Sequence, residues 1–188
     1  MNEELLALYT ADREERIDQP RMGTPEYTAM RERDWQRRLR AAAILSTLEA
    51  PEAADLYHAA QLFQHRDEPQ DAWRAYELAR EATERGDERA RWLTAAAYDR
   101  WLVYQGKPQK YGTQYVHDGI RHRLWDVDLG TTDAERAAWN VPPLAEQLRK
   151  AEEATRIDPP QPIKLDDAPW WLKEALLRWQ RSEEASEG

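Results

Sequence analysis

Apolar residues recur every three to four positions over most of the chain, which is the repeat of one face of an α-helix. Prolines and glycines separate the repeats. The Thr-Pro pair at 24–25 has the N-cap and first-turn residues of a helix, and Gly86 is placed as a C-terminal cap. A further helix follows Pro169. The pattern predicts the other helices over residues 3–17, 24–48, 51–65, 69–85, 88–105, 131–139 and 142–156.

After Gly112 the repeat changes from about 3.6 residues to about two. Tyr115–His117 and Ile120–Trp125 then have the alternation of two β-strands, joined by an Asp-Gly turn at 118–119. A lone hairpin is only marginally stable in water, so we expect this one to pack on the helices. We therefore predict a mainly α fold. It is a single helical domain of about six to eight helices with one small β-hairpin at about residues 113–126.

The C-terminal part of the chain has a different composition. Residues 158–162, Asp-Pro-Pro-Gln-Pro, are typical of a stiff extended linker. We therefore divide the chain into a helical domain with a hairpin insertion at 1–157, and a linker with a Trp-rich helix at 158–188. The face with Trp170, Trp171 and Trp179 is too apolar for a solvated tail. It either folds back on the chain, which we favour, or forms a homodimer with a second copy.

The chain has 188 residues, a net charge of −9 and no cysteine. The acidic balance argues against a nucleic-acid partner, because phosphate binding needs a basic surface. Five arginines between residues 31 and 40 are interrupted by Glu32 and Asp34, and we interpret them as a solvated helix face. No apolar run approaches the roughly 20 residues that span a bilayer, and the acidic N-terminus is unlike a secretion signal. We expect a cytoplasmic protein without a membrane partner.

Two of the four histidines, His58 and His65, lie seven residues apart and therefore on one face of one helix. We interpret this face, opposite Leu56 and Phe63, as a polar stripe exposed to solvent; the alternative is that it lines a pocket. A metal ion would need a third ligand, such as Asp67, and no spacing here matches a metal motif. Because phosphate loops and dinucleotide motifs are also missing, we predict no metal site and no cofactor.

Asp99 and Arg100 lie on the most apolar of the predicted helices, so we expect at least one of them to point inward. A buried carboxylate must be paired or hydrogen-bonded, and a structural ion pair is the simplest interpretation. The functional alternative is that Asp99 orients His65, or that Arg100 binds a substrate carboxylate through two hydrogen bonds.

A polar but mostly uncharged run follows this helix, after a stop at Gly106 and Pro108. Loops carry function because they can aim side chains without disturbing the core. The run is therefore a candidate for substrate binding, and its alternative is a loop whose amides satisfy backbone groups. The candidate residues are Gln109, Tyr111, Thr113 and Gln114.

Three segments of the chain resemble the shared pattern of a large bacterial family of domains of unknown function, number 6624. They are Gln64–Asp67, Asp99–Arg100 and Gly106–Gln114, which correspond to Gln-His-x-Asp, Asp-Arg and Gly-x-x-Gln-x-Tyr-Gly-Thr-Gln. The resemblance covers about residues 10–150, and Arg66 stands where the family has a small residue. It implies a bacterial protein of uncharacterised function with a site at these segments, and it implies no particular chemistry.

These observations lead to three hypotheses. The first is a small cofactor-independent enzyme that uses His65 as general acid and base, with Asp99 setting its tautomer and Arg100 and the polar run binding a small polar substrate. The second is a non-catalytic helical module that binds a small molecule, a peptide or a protein. The third is purely structural, with the polar run forming a buried hydrogen-bond network that fixes the hairpin to the helices.

Overall fold

A computed structural model describes the whole chain except residues 21, 22, 66, 67, 159, 161, 162, 164, 166, 167 and 188 and the side chains of 186 and 187, so most of the predicted linker lies outside the described residues. The described part contains eight α-helices and one two-stranded antiparallel sheet, which confirms the mainly α fold. None of these described helices combines the length and apolar character needed to cross a bilayer. The elements are α1 (Glu3–Glu15), α2 (Pro25–Thr47), α3 (Ala53–Gln64), α4 (Pro69–Glu84), α5 (Ala90–Val103), β1 (Tyr115–His117), β2 (His122–Leu124), α6 (Asp133–Ala138), α7 (Leu144–Ile157) and α8 (Trp170–Glu187).

Contacts group the chain into two compact units, residues 1–97 and 98–188, called here the first and second unit. The division falls within α5 and not at the predicted border after residue 157. The reason is that α8 packs on the elements that precede the linker. The Trp-rich helix is therefore part of the second unit.

Local capping explains why most helix boundaries lie close to the predicted ones. The Asn2 side chain accepts a hydrogen bond from the Leu5 N–H at 2.9 Å, and Thr24 accepts one from the Tyr27 N–H at 3.2 Å. Such caps satisfy backbone donors that have no partner within the helix. At the end of α4, Gly86 adopts a φ of 94°, a conformation that favours glycine and closes the helix.

The core of the first unit is centred on α3, which is buried on nearly all sides. It packs chiefly on α4, and also on α1 and α2. Alanines at this contact let the helix backbones approach closely, and larger aliphatic and aromatic side chains fill the remaining space. The core includes Leu5, Ile44, Leu56, Ala59, Ala60, Phe63, Ala75, Leu78, Ala79 and Leu93.

The hairpin of the second unit pairs Tyr115 with Leu124 and His117 with His122. Its connection has four residues, 118–121, and not the predicted two-residue Asp-Gly turn. The Asp118 carboxylate causes the difference, because Oδ1 accepts the N–H groups of residues 120 and 121 at 2.9 and 2.8 Å. This side-chain turn replaces further strand pairing at the tip.

Helix α8 packs against the hairpin side of the second unit. The rings of Trp171 and Trp179 lie 5.6 and 5.4 Å from that of Trp125, both in T-shaped contacts, and Trp125 is 1% exposed. Trp179 Nε1 also donates to Asp126 Oδ1 at 2.8 Å. The helix thus folds back on its own chain, which is the arrangement we favoured. Dimerisation through its outer face, where Trp170 is 56% exposed, stays a prediction.

Candidate functional site

Asp99 holds the polar run that follows α5, and its side chain is fully buried. Oδ1 accepts the backbone N–H groups of Lys110 and Tyr111 at 2.8 and 2.9 Å. Oδ2 accepts the N–H of Thr113 at 3.0 Å and its hydroxyl at 2.8 Å. Burial raises the pKa of Asp99, and these hydrogen bonds oppose the rise. Because all four partners donate, the side chain serves as a carboxylate that anchors the loop.

Two glutamines extend this network toward the hairpin. Gln109 Nε2 donates to the carbonyls of Gln114 and Trp125 at 3.0 and 2.9 Å, and its Oε1 accepts the Gln114 N–H at 2.8 Å. Gln114 in turn accepts from Arg100 Nε at 3.0 Å and donates to the Thr113 hydroxyl at 3.0 Å. The network joins the end of α5, the loop and the hairpin, as the structural hypothesis proposed.

The structure therefore brings Asp99 and all the predicted substrate-binding residues together in the second unit. Most of their polar atoms satisfy one another or the loop backbone, and the Tyr111 ring is buried against Tyr98 and Trp139. These contacts account for the unusual composition of the run without a ligand. The predicted role of Arg100, Gln109 and their neighbours in substrate binding stays a prediction.

His65 lies in the first unit, as the residue that caps the C-terminal end of α3. Its Nδ1 is 2.9 Å from Oδ2 of Asp12, a side chain of α1 that is 1% exposed. The carboxylate beside His65 is thus Asp12, and the predicted pairing with Asp99 is corrected. The two residues of the actual pair come from different helices, so their contact depends on how α1 and α3 pack.

Nδ1 of His65 lies between a donor and an acceptor, and each defines a different tautomer of the neutral ring. Arg16 Nε lies 2.9 Å from the same Nδ1, but one nitrogen cannot both accept from Arg16 and donate to Asp12. Arg16 Nε also has an acceptor in Asp12 Oδ2 at 3.3 Å, and its Nη2 has one in Oδ1 at 3.3 Å. The hydrogen bond that Arg16 Nε–H donates to Nδ1 belongs to the neutral ring with its proton on Nε2. A ring with its proton on Nδ1 donates to Asp12 Oδ2 in place of accepting from Arg16, and Nε2 is then its basic atom.

A network of ion pairs surrounds Asp12. Asp34, which is 5% exposed, lies 2.9 Å from Arg16 Nη2 and 3.3 Å from both Arg31 Nη1 and Arg37 Nη1. Burial raises the pKa of Asp34, with Arg16 acting against it. Burial acts in the same direction on Asp12, but the hydrogen bonds and charges of His65 and Arg16 outweigh it and hold the Asp12 pKa below its ordinary value.

This network changes the interpretation of the arginine run in α2. Three of the five arginines are largely buried and pair with acids of the first unit. Arg31 and Arg37 pair with Asp34. Arg38 lies 3.4 Å from Asp71 of α4. Only Arg33 and Arg40, which are 51% and 56% exposed, match the predicted solvated face. The run is thus mostly an internal charge cluster.

A cavity of about 460 Å³ opens on α2 beside this cluster. Lining positions 28, 31, 35 and 38 are spaced by three or four residues and so share one helix face. Arg31 also donates to the backbone carbonyl of His65, which links the cavity wall directly to the His65–Asp12 pair. The lining residues are Thr28, Arg31, Glu32, Asp34, Trp35 and Arg38.

We predicted that His58 lies on a solvent-exposed stripe of α3, and the structure contradicts this. His58 is 2% exposed and stacks on Tyr9, with ring centroids 4.7 Å apart. Burial, with a smaller effect from the charge of Arg89, lowers the pKa of His58. The prediction was wrong because α3 is covered by neighbours on both faces, and a helix in that position has no solvent-facing stripe.

Sequence reasoning missed a second histidine pair, His117 and His122, which the structure places beside Asp158. One ligand atom from each of the three lies within 4.8 Å of the others. A signal for the pair was present, because residues that flank a predicted hairpin turn become neighbours across the strands. Asp158 carried no such signal, since it joins the pair only through the packing of α7.

Arg66 and Asp67, which belong to the resemblance described above, lie outside the described residues. Comparison of the chain with family models, with curated proteins and with solved structures finds no match. The resemblance to family number 6624 thus stays a prediction.

Proposed function

We propose that this protein is a small enzyme that transfers a proton on a small polar substrate, with His65 as the acid–base group. Asp12, in place of Asp99, is its orienting carboxylate. The observation that carries the proposal is the 2.9 Å contact between His65 Nδ1 and the buried Asp12 Oδ2. Arg31, which lines the open cavity on α2, donates to the backbone carbonyl of this histidine. A histidine oriented by a carboxylate is a common general base near neutral pH.

The proposed chemistry uses the tautomer of His65 in which the proton is on Nδ1. With Nδ1–H donating to Asp12, the lone pair on Nε2 of His65 accepts a proton from the substrate. The ring is then an imidazolium, and the negative charge of Asp12 stabilises it. The same Nε2–H returns the proton to a different atom of the substrate or to its leaving group. This sequence serves an isomerisation or an elimination equally well.

The cavity lining indicates the substrate class. Arg31 and Arg38 supply cationic groups, and guanidinium groups bind carboxylates and phosphates through paired hydrogen bonds. Glu32 supplies an acceptor for a hydroxyl or an amine, while the indole of Trp35 offers an apolar wall. A small hydroxy or amino acid, or its phosphorylated counterpart, matches this mixture of charges.

Proton exchange with solvent tests the proposal without knowledge of the substrate. The protein is incubated in D₂O with a panel of small hydroxy, oxo and amino acids and sugar phosphates, and loss of each carbon-bound proton signal is followed by ¹H NMR. We expect exchange in at least one compound. His65→Gln should slow it by about 100-fold or more, which is the usual contribution of a general base.

Two arginines of α2 provide a matched pair of variants for this assay. Arg31→Met, at the cavity wall, should raise the substrate concentration for half-maximal exchange by about tenfold, a loss of about 1.4 kcal/mol. Arg33→Met, on the exposed face of the same helix, should behave like the parent protein. An exchange rate that is unchanged in His65→Gln would eliminate His65 as the base.

The non-catalytic binding module stays the second candidate, because Arg16 Nε approaches His65 Nδ1 as closely as Asp12 does. If His65 only completes the ion network, the cavity binds a ligand without acting on it. Saturable binding of a panel compound, weakened by Arg31→Met but accompanied by no proton exchange, is the result that this alternative predicts.

A further inference from the structure

The hairpin brings two imidazoles together. His117 and His122 are paired residues of β1 and β2, and their rings are perpendicular with centroids 4.8 Å apart. The Asp118 turn fixes the tip, and the Gly119 N–H donates to His117 Nδ1 at 3.0 Å. Both rings are therefore positioned by backbone that is itself held in place.

The end of α7 adds a carboxylate to this pair. Thr155 Oγ1 accepts the backbone N–H of His122 at 2.9 Å, which attaches β2 to the helix. One turn later, Asp158 caps α7 and its Oδ2 lies 2.8 Å from His122 Nε2. The side chains of His122 and Asp158 are 25% and 36% exposed, so water and ions can reach them.

One atom of the group lacks a partner. His117 Nε2 is buried and has no hydrogen-bond partner among the residues that the structure describes. A buried polar atom of this kind costs about 1–3 kcal/mol when it stays unsatisfied. Such atoms in native proteins often mark a site whose partner is an ion or a water.

We propose that His117, His122 and Asp158 bind one divalent transition-metal ion of the zinc class. Two imidazoles and one carboxylate are a ligand set that such ions favour, and they leave positions for water. Ligand atoms in a tetrahedral zinc site lie about 3.4 Å apart, given metal–ligand distances of about 2.0–2.2 Å. Rotation of three partly exposed side chains closes the observed 4.8 Å spread to that value.

Ion binding requires protons to move. The ion replaces the proton shared by His122 and Asp158, which is released to solvent. At His117, Nδ1 now accepts from Gly119, so the ring proton is on Nε2. Coordination through Nε2 moves this proton to Nδ1 and ends the Gly119 contact. This rearrangement lowers the affinity, so the site should bind zinc more weakly than a preformed structural site.

The consequence of binding is a link between the hairpin and α7. The two strands are three residues each, and a short hairpin has little stability of its own. An ion shared by both strands and the helix end would hold residues that are about 40 positions apart in sequence, and so stabilise the second unit in proportion to ion concentration. The site is independent of the proton-transfer function proposed for the first unit.

Zinc binding to the full chain tests the proposal. Chelator-treated protein is titrated with ZnCl₂ by calorimetry, and with Co²⁺ to record visible absorption bands that report the coordination. We expect one ion per chain and a rise in thermal midpoint with zinc. His117→Phe and Asp158→Asn, which keep the size of the side chains, should each weaken binding at least tenfold.

The histidine content of the chain supplies the control. Only His58 and His65 lie outside the proposed site, and there is no cysteine. His65→Gln should bind zinc like the parent protein. The proposal is overturned if the parent shows no saturable uptake, if His117→Phe and His122→Phe both bind like the parent, or if His65→Gln loses the ion. Circular dichroism shows whether each variant is folded. If a histidine variant does not fold, the zinc affinity of Asp158→Asn still tests the site.

Discussion

Replacing Asp99 by alanine is expected to lower the free energy of unfolding by about 4 kcal/mol, the largest effect of any substitution considered for this protein. The change leaves three backbone N–H groups, those of Lys110, Tyr111 and Thr113, buried without an acceptor. Each such group costs about 1–3 kcal/mol, partly offset because a buried charge is also removed. Urea denaturation measures the loss, and NMR amide exchange at these three positions should accelerate even where the variant stays folded.

Two milder substitutions, Asp99→Asn and Thr113→Val, test the same hydrogen-bond network. Asp99→Asn keeps the shape, but its amide must face either two N–H groups or one N–H and the Thr113 hydroxyl. We expect the asparagine to adopt the second arrangement and the free energy of unfolding to fall by about 2–3 kcal/mol. Thr113→Val removes only one of the four donors and should lose about 1 kcal/mol. An Asp99→Asn protein as stable as the parent would show that the network does not hold the loop.

Replacing Asp12 by alanine is expected to cost about 3 kcal/mol at neutral pH and to abolish proton exchange. The substitution leaves His65 without its buried acceptor and leaves Arg16 with Asp34 as its remaining buried partner. Removing one partner of a buried ion pair typically costs about 3–5 kcal/mol. Arg16 is 20% exposed, so water compensates part of the loss. Glu15→Gln is the matched control. It removes a neighbouring and more exposed carboxylate of α1, and should cost less than about 1 kcal/mol.

The contribution of Asp12 has a defined pH dependence. The pKa of Asp12 is lower in the folded protein than in the unfolded chain. Its stabilising contribution is therefore complete above the unfolded pKa of about 3.9, and is lost as pH falls through the folded pKa. The stability difference between the parent and Asp12→Ala should therefore shrink as pH falls below about 4.

The pKa of Asp34 also depends on Asp12. The charge of Asp12 raises the pKa of Asp34, so Asp12→Ala should lower that pKa. Carbon-detected NMR of the Asp34 carboxyl measures this directly. An Asp34 pKa that does not move would mean that the two carboxylates are not coupled, and that the ion network is looser than its distances indicate.

Predictions about the site succeeded where burial alone decided them. The apolar character of α5 indicated that Asp99 or Arg100 would point inward, and Asp99 is fully buried. Its partners are four uncharged donors, in place of the ion pair that was the simplest interpretation. The partner was not predictable, because the donors belong to a loop 11 to 14 residues away. The path of that loop depends on Gly112, whose φ of 89° turns the chain toward Asp99.

Predictions failed where a contact joins distant helices. Asp12 and His65 are 53 positions apart, and nothing in the local sequence of α1 marks Asp12 as more than one of several surface acids. His58 was assigned to the solvent for the same reason, since the elements that cover α3 lie elsewhere in the chain. A helical repeat shows which residues share a face, but it does not show what covers that face.

The sequence by itself thus determined the class of fold, the helix boundaries and the presence of a hairpin, because caps, breakers and the apolar repeat act over only a few residues. The tertiary structure alone decided which polar groups meet. It paired His65 with Asp12, closed Asp99 into a structural network, and brought Asp158 to the two hairpin histidines. Those contacts depend on helix packing and loop paths, which are set by the whole core and not by any local stretch.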